Sequence, residues 1–366
     1  MTSTTAADID QAVDPGRTAA SPNDVTEPDF SADGNGDGSG SSSLRDRVLR
    51  PETLVSFAIA VAVLVFLFRR LDINVGEVWR HARGANPWLL GLAFVSWYST
   101  FGLRAFRWKR MLERVGVDAA HGYRIPTTRG FIEIYLLAWF ANCVVPAKLG
   151  DAYRSYLLKR ESGASFSTSL GTILAERLTD LAVLFVTMTT VGILVFRGRV
   201  PDEVTNTFLL GLGLLAVAAF GLAGMWLARH TIEARLPARL KDQYVRLHDA
   251  TFACLRRPWL FLAISVGIWI GEGLRVYFVA QAVHADISFS TALFVGLMAA
   301  LVTTLPFTPS GLGLVEAVVT TVLVNVIGIE SSLALSIAVL DRVVGYWFVI
   351  LIGLILYAVR ARRGMV

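Results

Sequence analysis

Charge is scarce in this chain. Asp, Glu, Lys and Arg make up 17% of its 366 residues, against roughly 25% in soluble globular proteins. With 54% hydrophobic residues and a mean hydropathy of +0.55, the shortage points to an integral membrane protein. Cysteine is rarer still. Cys143 sits in an apolar run and Cys254 in a basic stretch, too few and too far apart for a disulfide framework or a metal site, so both read as unpaired thiols. The five histidines (His81, His121, His230, His248 and His284) lie near segment ends, with no HExxH pattern and no Cys/His cluster. Signatures of nucleophilic catalysis and nucleotide binding are missing too. No catalytic residue, metal or cofactor is therefore expected, and the chain does not read as an enzyme. Its net charge of +5 is modest and fits the basic cytoplasmic loops of a membrane protein, so no nucleic-acid partner is expected.

What is present is apolar sequence in long blocks. Gly84 to Leu103, Val204 to Ala228 and Ile287 to Val315 carry no charge at all, and each reaches the ~20 residues that span a bilayer as a helix. Outer-membrane barrel strands would be shorter and alternating. The fold class expected is all-α, a polytopic membrane helix bundle.

Residues 1–43 are rich in Ser, Thr, Ala, Asp and Gly, with eight acids against one base. Such a segment buries too little apolar surface to fold and reads as a disordered acidic cytoplasmic tail. Residues 44–366 then form a single transmembrane domain. Full spans are expected at about 53–68, 87–104, 170–196, 206–228, 258–284 and 332–358. Two further apolar regions, 130–165 and 288–328, are interrupted by proline and glycine. If every block simply crossed, the basic stretch 229–257 would fall outside the cell. If the two interrupted regions instead enter and leave on the same side, both termini, the loop 104–129 with seven bases and the loop 229–257 with seven all become cytoplasmic, as the positive-inside rule requires. The reading is thus about six full spans plus two re-entrant broken-helix hairpins in the cell membrane.

An internal repeat supports it. Gly102-Leu103-Arg104 recurs as Gly273-Leu274-Arg275, and Pro146-x-x-x-Gly150 as Pro309-x-x-x-Gly313, each followed by an acid (Asp151, Glu316). Glu176-Arg177 with Asp180, taken as opening one helix, is echoed by Asp341-Arg342 opening the last. Repeat one covers about 50–200 and repeat two about 205–360, and the charge sorting inverts one relative to the other.

Inverted repeats with discontinuous helices are a transporter architecture, with the site where the broken elements meet. Irregular backbone survives at membrane depth only when buried in protein or lining a wet cavity. Asp151 and Arg154, three apart, can pair with each other or with something bound. Arg154 and Arg177 with Asp151, Glu176 and Asp180 form either a salt-bridge cluster that locks the hairpin in place or a site where an arginine fork grips a phosphate head group. In the second hairpin, Pro306, Pro309, Gly311 and Gly313 permit a backbone-lined turn. Glu316 there either pairs with Arg342 or Arg275 or serves as a proton or ion site. Glu272 and Arg275 can belong to the same network, and Gly267-x-x-x-Gly271 reads as a helix-packing contact. Arg107, Lys109, Arg110 and Arg114, interleaved with Phe106 and Trp108, read as cytoplasmic bases facing anionic lipid.

At these residues the chain resembles the lysylphosphatidylglycerol synthase transmembrane region family, also called flippase-like. The family's Asn, Pro, Gly-Asp and Arg pattern is matched by Asn142, Pro146, Gly150, Asp151, Arg154 and Tyr156. Its Glu-Arg and Asp are matched by Glu176, Arg177 and Asp180, and its late Gly-rich turn with an acid by Pro309, Gly311, Gly313 and Glu316. The resemblance covers roughly 50–360. It implies handling of a membrane lipid or lipid-linked carrier, through leaflet-to-leaflet movement. The alternative is a membrane subunit that binds a lipid-linked substrate for a separately encoded transferase. Seven residues follow Val359, so the soluble aminoacyl-transferase domain of the synthases is not expected here.

Overall fold

The computed structural model describes residues 74–144, 149–197, 201–304 and 309–363, all within one compact unit. The tail, the expected span at 53–68, Pro146 and Pro306 lie outside the described residues. Among the described residues every regular element is helical, as an all-α membrane bundle requires.

The helices are α1 (Val75–Arg83), α2 (Pro87–Arg114), α3 (Thr128–Val144), α4 (Gly150–Ser162), α5 (Phe166–Phe196), α6 (Asp202–Leu227), α7 (Arg229–Arg235), α8 (Ala238–Leu255) and α9 (Trp259–Ala282), followed by α10 (Phe289–Thr303), α11 (Leu314–Asn325), α12 (Ser331–Arg342) and α13 (Phe348–Arg362). A π-helical turn, Val343–Trp347, joins the last two. Five stretches are long and apolar enough to cross a membrane: Pro87–His121, Phe166–Phe196, Val204–Leu227, Trp259–Ala282 and Ser331–Arg362. They coincide with the spans expected from 87 onward.

Most helix starts follow from local chemistry. Asn86 accepts from Trp88 N, with Pro87 at the first helical position. Ser165 and Ser288 accept from Thr168 N and Thr291 N to open α5 and α10. Gly163, in the left-handed region at φ 74°, ends α4.

Two expectations need correction. The stretch from 104 is not a loop, because α2 continues to Arg114 with Arg104 and Arg107 buried. Nor is 229–257 a basic loop. It folds as α7 and α8, and α8 packs on α5, with Thr251 Oγ1 donating to Gly171 O at 3.1 Å and His248, Ala250 and Cys254 also buried. In both places the charged side chains have partners or an apolar face that hydropathy along the chain does not register.

The central pair is α2 against α9. Ser96 Oγ donates to Gly271 O at 3.0 Å, and a Cβ on Gly271 would lie 2.6 Å from Thr100 Cγ2. The glycine therefore serves close helix packing, as its spacing indicated. At the other extreme, α6 buries only 6% of its most apolar stretch against the rest of the chain.

Both interrupted regions fold as pairs of short helices, α3–α4 and α10–α11, and each has its own fastening. In the first, Gly150 N donates to Asn142 Oδ1 at 2.8 Å, tying the start of α4 to the end of α3. A Cβ on Gly150 would sit 2.1 Å from Ala138 O, a backbone atom that cannot swing away. We therefore expect Gly150→Ala to destabilise the protein by about 1–3 kcal/mol, read as a lower unfolding midpoint in detergent. Gly102→Ala, with nothing within 4 Å of the added carbon, is the control expected to stay near wild type. In the second unit, Gly311 and Gly313 adopt φ of 72° and 81°, the left-handed region in which a side chain is strained.

Candidate functional site

Most of the charged side chains inside the bundle sort into two sets, one around α5 and one around α9 and α12 that also takes in Arg104 of α2. In the first, Glu176 on α5 receives Arg154 of α4 in a two-pronged contact at 3.2 and 3.0 Å, Arg107 of α2 at 3.3 Å and the Tyr135 hydroxyl of α3 at 2.7 Å. Arg107 also forks onto Asp180, one helical turn along α5, with Nη2 to Oδ2 at 2.9 Å. Ser265 Oγ of α9 donates to the same carboxylate at 2.9 Å and accepts from Arg107. Arg154 lies over the rings of Trp108 and Tyr135 at 4.6 and 4.3 Å. Glu176 and Arg107 are fully buried and Arg154 is 1% exposed. This part of the cluster is sealed, so its geometry is that of the locking reading.

Asp151 and Arg177 differ. The spacing allowed Asp151 to meet Arg154, but its partner is Arg177, through Nε to Oδ2 at 2.9 Å and Nη2 to Oδ1 at 2.6 Å. The Arg177 side chain is 39% exposed. It stands in the wall of a cleft of about 430 Å³ between α5 and α6, among Leu174, Leu178, Leu181, Leu222 and Met225. Apart from this one cation the cleft is apolar.

The second set repeats the wiring. Glu316, in the first turn of α11, pairs with Arg342 of α12 at 3.1 Å, as one of its two sequence alternatives had it. Asp341 receives Arg275 of α9 at 2.7 and 3.1 Å. Glu272 bridges Arg275 and Arg104 at 3.3 Å each, and Arg275 lies 4.5 Å over the Trp97 ring. The correspondence is close. Asp151–Arg177 and Glu316–Arg342 both join the first turn after a hairpin tip to the next long segment, and in both the partners are 26 residues apart. The adjacent acids, Glu176 and Asp341, take an arginine from the corresponding helices α2 and α9. Neither dipeptide opens its helix, however: Glu176-Arg177 lies well inside α5, and Asp341-Arg342 ends α12 at the π turn.

The two hairpin ends touch. Ser310 Oγ donates to Asn142 O at 3.3 Å and lies 3.5 Å from Cys143 Sγ. Arg342 donates to the Ser310 and Gly311 carbonyls at 3.3 and 3.4 Å, and the Tyr346 hydroxyl to Cys143 O at 3.2 Å. Asn142, Gly150, Gly311, Glu316 and Arg342 thus gather around this junction, whereas Gly313 caps α11.

Sequence reasoning assigned Arg107 to lipid contact and left Tyr135, Ser265 and Tyr346 out of the site. The one available signal was helical phase. Arg104 and Arg107 lie three apart on the face that carries Trp97, Phe101 and Trp108, all buried.

The chain matches the family described as "Lysylphosphatidylglycerol synthase TM region" over residues 53–353. It is 30% identical over 227 residues to the UPF0104 membrane protein MJ1078 of Methanocaldococcus jannaschii, covering 61% of this chain and 95% of that one. A UPF0104 membrane protein of Methanothermobacter thermautotrophicus is 22% identical over 81% of this chain and 92% of its own length. Glycosyltransferase AglD of Haloferax volcanii is 25% identical over 82% of this chain, but the match takes in only 53% of AglD.

Proposed function

The chain belongs to the lysylphosphatidylglycerol synthase TM region family, and from that premise we propose that it is a flippase-like translocase of an anionic phospholipid or a polyprenyl-phosphate-linked glycan. The work is binding and movement, not bond chemistry. The observation that carries this reading is Arg177, a partly exposed guanidinium at the wall of an apolar cleft beside α6, an apolar helix largely uncovered by the rest of the chain. An arginine fork suits a phosphate oxygen pair, and the leucines around it suit hydrocarbon. Of the two arginines expected to contact the head group, Arg177 takes the role and Arg154 holds Glu176.

In this proposal α3–α4 and α10–α11 are re-entrant and both termini are cytoplasmic. What supports re-entry is length. The four helices have 17, 13, 15 and 12 residues; at 1.5 Å per residue they run about 18–26 Å, short of a ~30 Å hydrocarbon core.

Arg177→Ala is expected to reduce movement of labelled phosphatidylglycerol in proteoliposomes to the level of protein-free vesicles, with the unfolding midpoint near wild type. Arg177→Lys should retain part of the rate, since it keeps the charge and loses the fork. Full transport by Arg177→Ala would overturn the assignment.

The likeness to AglD favours a second reading, a membrane subunit that holds a lipid-linked substrate for a separately encoded transferase. A co-purifying transferase, with no movement of lipid by the protein alone, would select it.

A further inference from the structure

The buried charges are balanced in each cluster. The first set pairs three arginines (Arg107, Arg154, Arg177) with three carboxylates (Asp151, Glu176, Asp180), and the second pairs Arg104, Arg275 and Arg342 with Glu272, Asp341 and Glu316. Among the described residues of these two clusters no cation is left over for a phosphate. An anion that engages the Arg177 fork must compete with Asp151, because Nε and Nη2 are both on that carboxylate.

We propose that a lipid phosphate binds Arg177 by displacing Asp151, which takes up a proton, so that one proton accompanies each anion. This rests on the reading of Arg177 as the head-group site. In the exchange the Arg177–Asp151 ion pair opens and an Arg177–phosphate pair forms. The proton is taken from the conjugate acid of the buffer and held on the Asp151 carboxyl, leaving the set as neutral with its ligand as without it. The surroundings give Asp151 no other route. Arg154 on its own helix is held by Glu176. From α5 it faces Arg177, now engaged, and Glu176, a like charge, while Asp180 beyond is bound by Arg107. From α3, Tyr135 donates to Glu176. A carboxylate deprived of its partner in a low-dielectric site neutralises by protonation.

The second repeat supplies the counterpart. Glu316–Arg342 has the same spacing and connects the same elements, but its side chains are 9% and 13% exposed, against 25% and 39% for Asp151–Arg177. Arg342 is also fastened to the tip carbonyls of Ser310 and Gly311. One acid-guarded arginine is open and its equivalent is shut.

The test is titration calorimetry of the full-length protein in detergent with dihexanoyl phosphatidylglycerol, in buffers of different ionisation enthalpy. Wild type is expected to take up one proton per lipid bound, and its affinity to fall about tenfold per pH unit where uptake is complete. Asp151→Asn is expected to bind without proton uptake and without that pH dependence, and Asp151→Glu to restore both. Binding to wild type with no proton uptake overturns the coupling and leaves the head-group site standing. Absence of binding in wild type and Asp151→Asn alike overturns both. Inorganic phosphate run in parallel is expected to bind far more weakly. Equal binding by it overturns the lipid as the source of the anion.

Discussion

Arg154→Ala is expected to cost this protein its fold rather than a single step of its function. The guanidinium is the two-pronged partner of Glu176, whose carboxylate is fully buried. Removing one member of a buried ion pair typically costs about 3–5 kcal/mol, because the other is left uncompensated in a medium that cannot solvate it. Arg107 and Tyr135 would remain on Glu176, but Arg107 is already forked onto Asp180. The expected readout is a large drop in unfolding midpoint and poor recovery from detergent, unlike Arg177→Ala, whose side chain is partly exposed. The double variant Arg154→Met with Glu176→Leu should be less damaged than Arg154→Ala. It removes both charges together, and Arg107 keeps Asp180. Wild-type stability in Arg154→Ala, with transport abolished, would move the head group to Arg154 and out of the cleft.

Ser310→Cys, in a Cys254→Ala background, is expected to join the two hairpins by a disulfide to the native Cys143. The hydroxyl lies 3.5 Å from the Cys143 sulfur, and both cysteines of the chain are free. Mild oxidation should protect both thiols from maleimide–polyethylene glycol. If the hairpin ends must part for a head group to pass, lipid movement should fall to the level of protein-free vesicles and return with reductant. Continued movement in the oxidised protein would mean that the substrate never passes between the tips, and the route would be confined to the cleft beside α6. An absence of oxidation would count against the tip contact itself.

Much of this was legible along the chain because it depends on local chemistry. Spans follow from runs of apolar residues, and the two interruptions from proline and glycine where helices cannot continue. Helix starts follow from Asn86, Ser165 and Ser288. The acid–arginine elements of the repeat also stood out, since Asp151, Arg177, Glu316 and Arg342 recur in the same order in otherwise apolar surroundings. Pairing was less legible. Asp151 lies three residues from Arg154 and 26 from Arg177, and spacing favoured the nearer base, yet the farther one is its partner. Arg107 read as one more cytoplasmic base because its acids are on α5 and its hydroxyl neighbour on α9, beyond any sequence window.

The amino-acid sequence by itself determined that this is a polytopic helical membrane protein with two broken segments, because burial in lipid and backbone hydrogen bonding are decided residue by residue. Only the tertiary structure decided which charges are sealed and which stay reachable. Solvation of an ion depends on what surrounds it in three dimensions: Arg154 and Arg177 belong to the same cluster, but one is enclosed by Trp108 and Tyr135 and the other borders an open cleft.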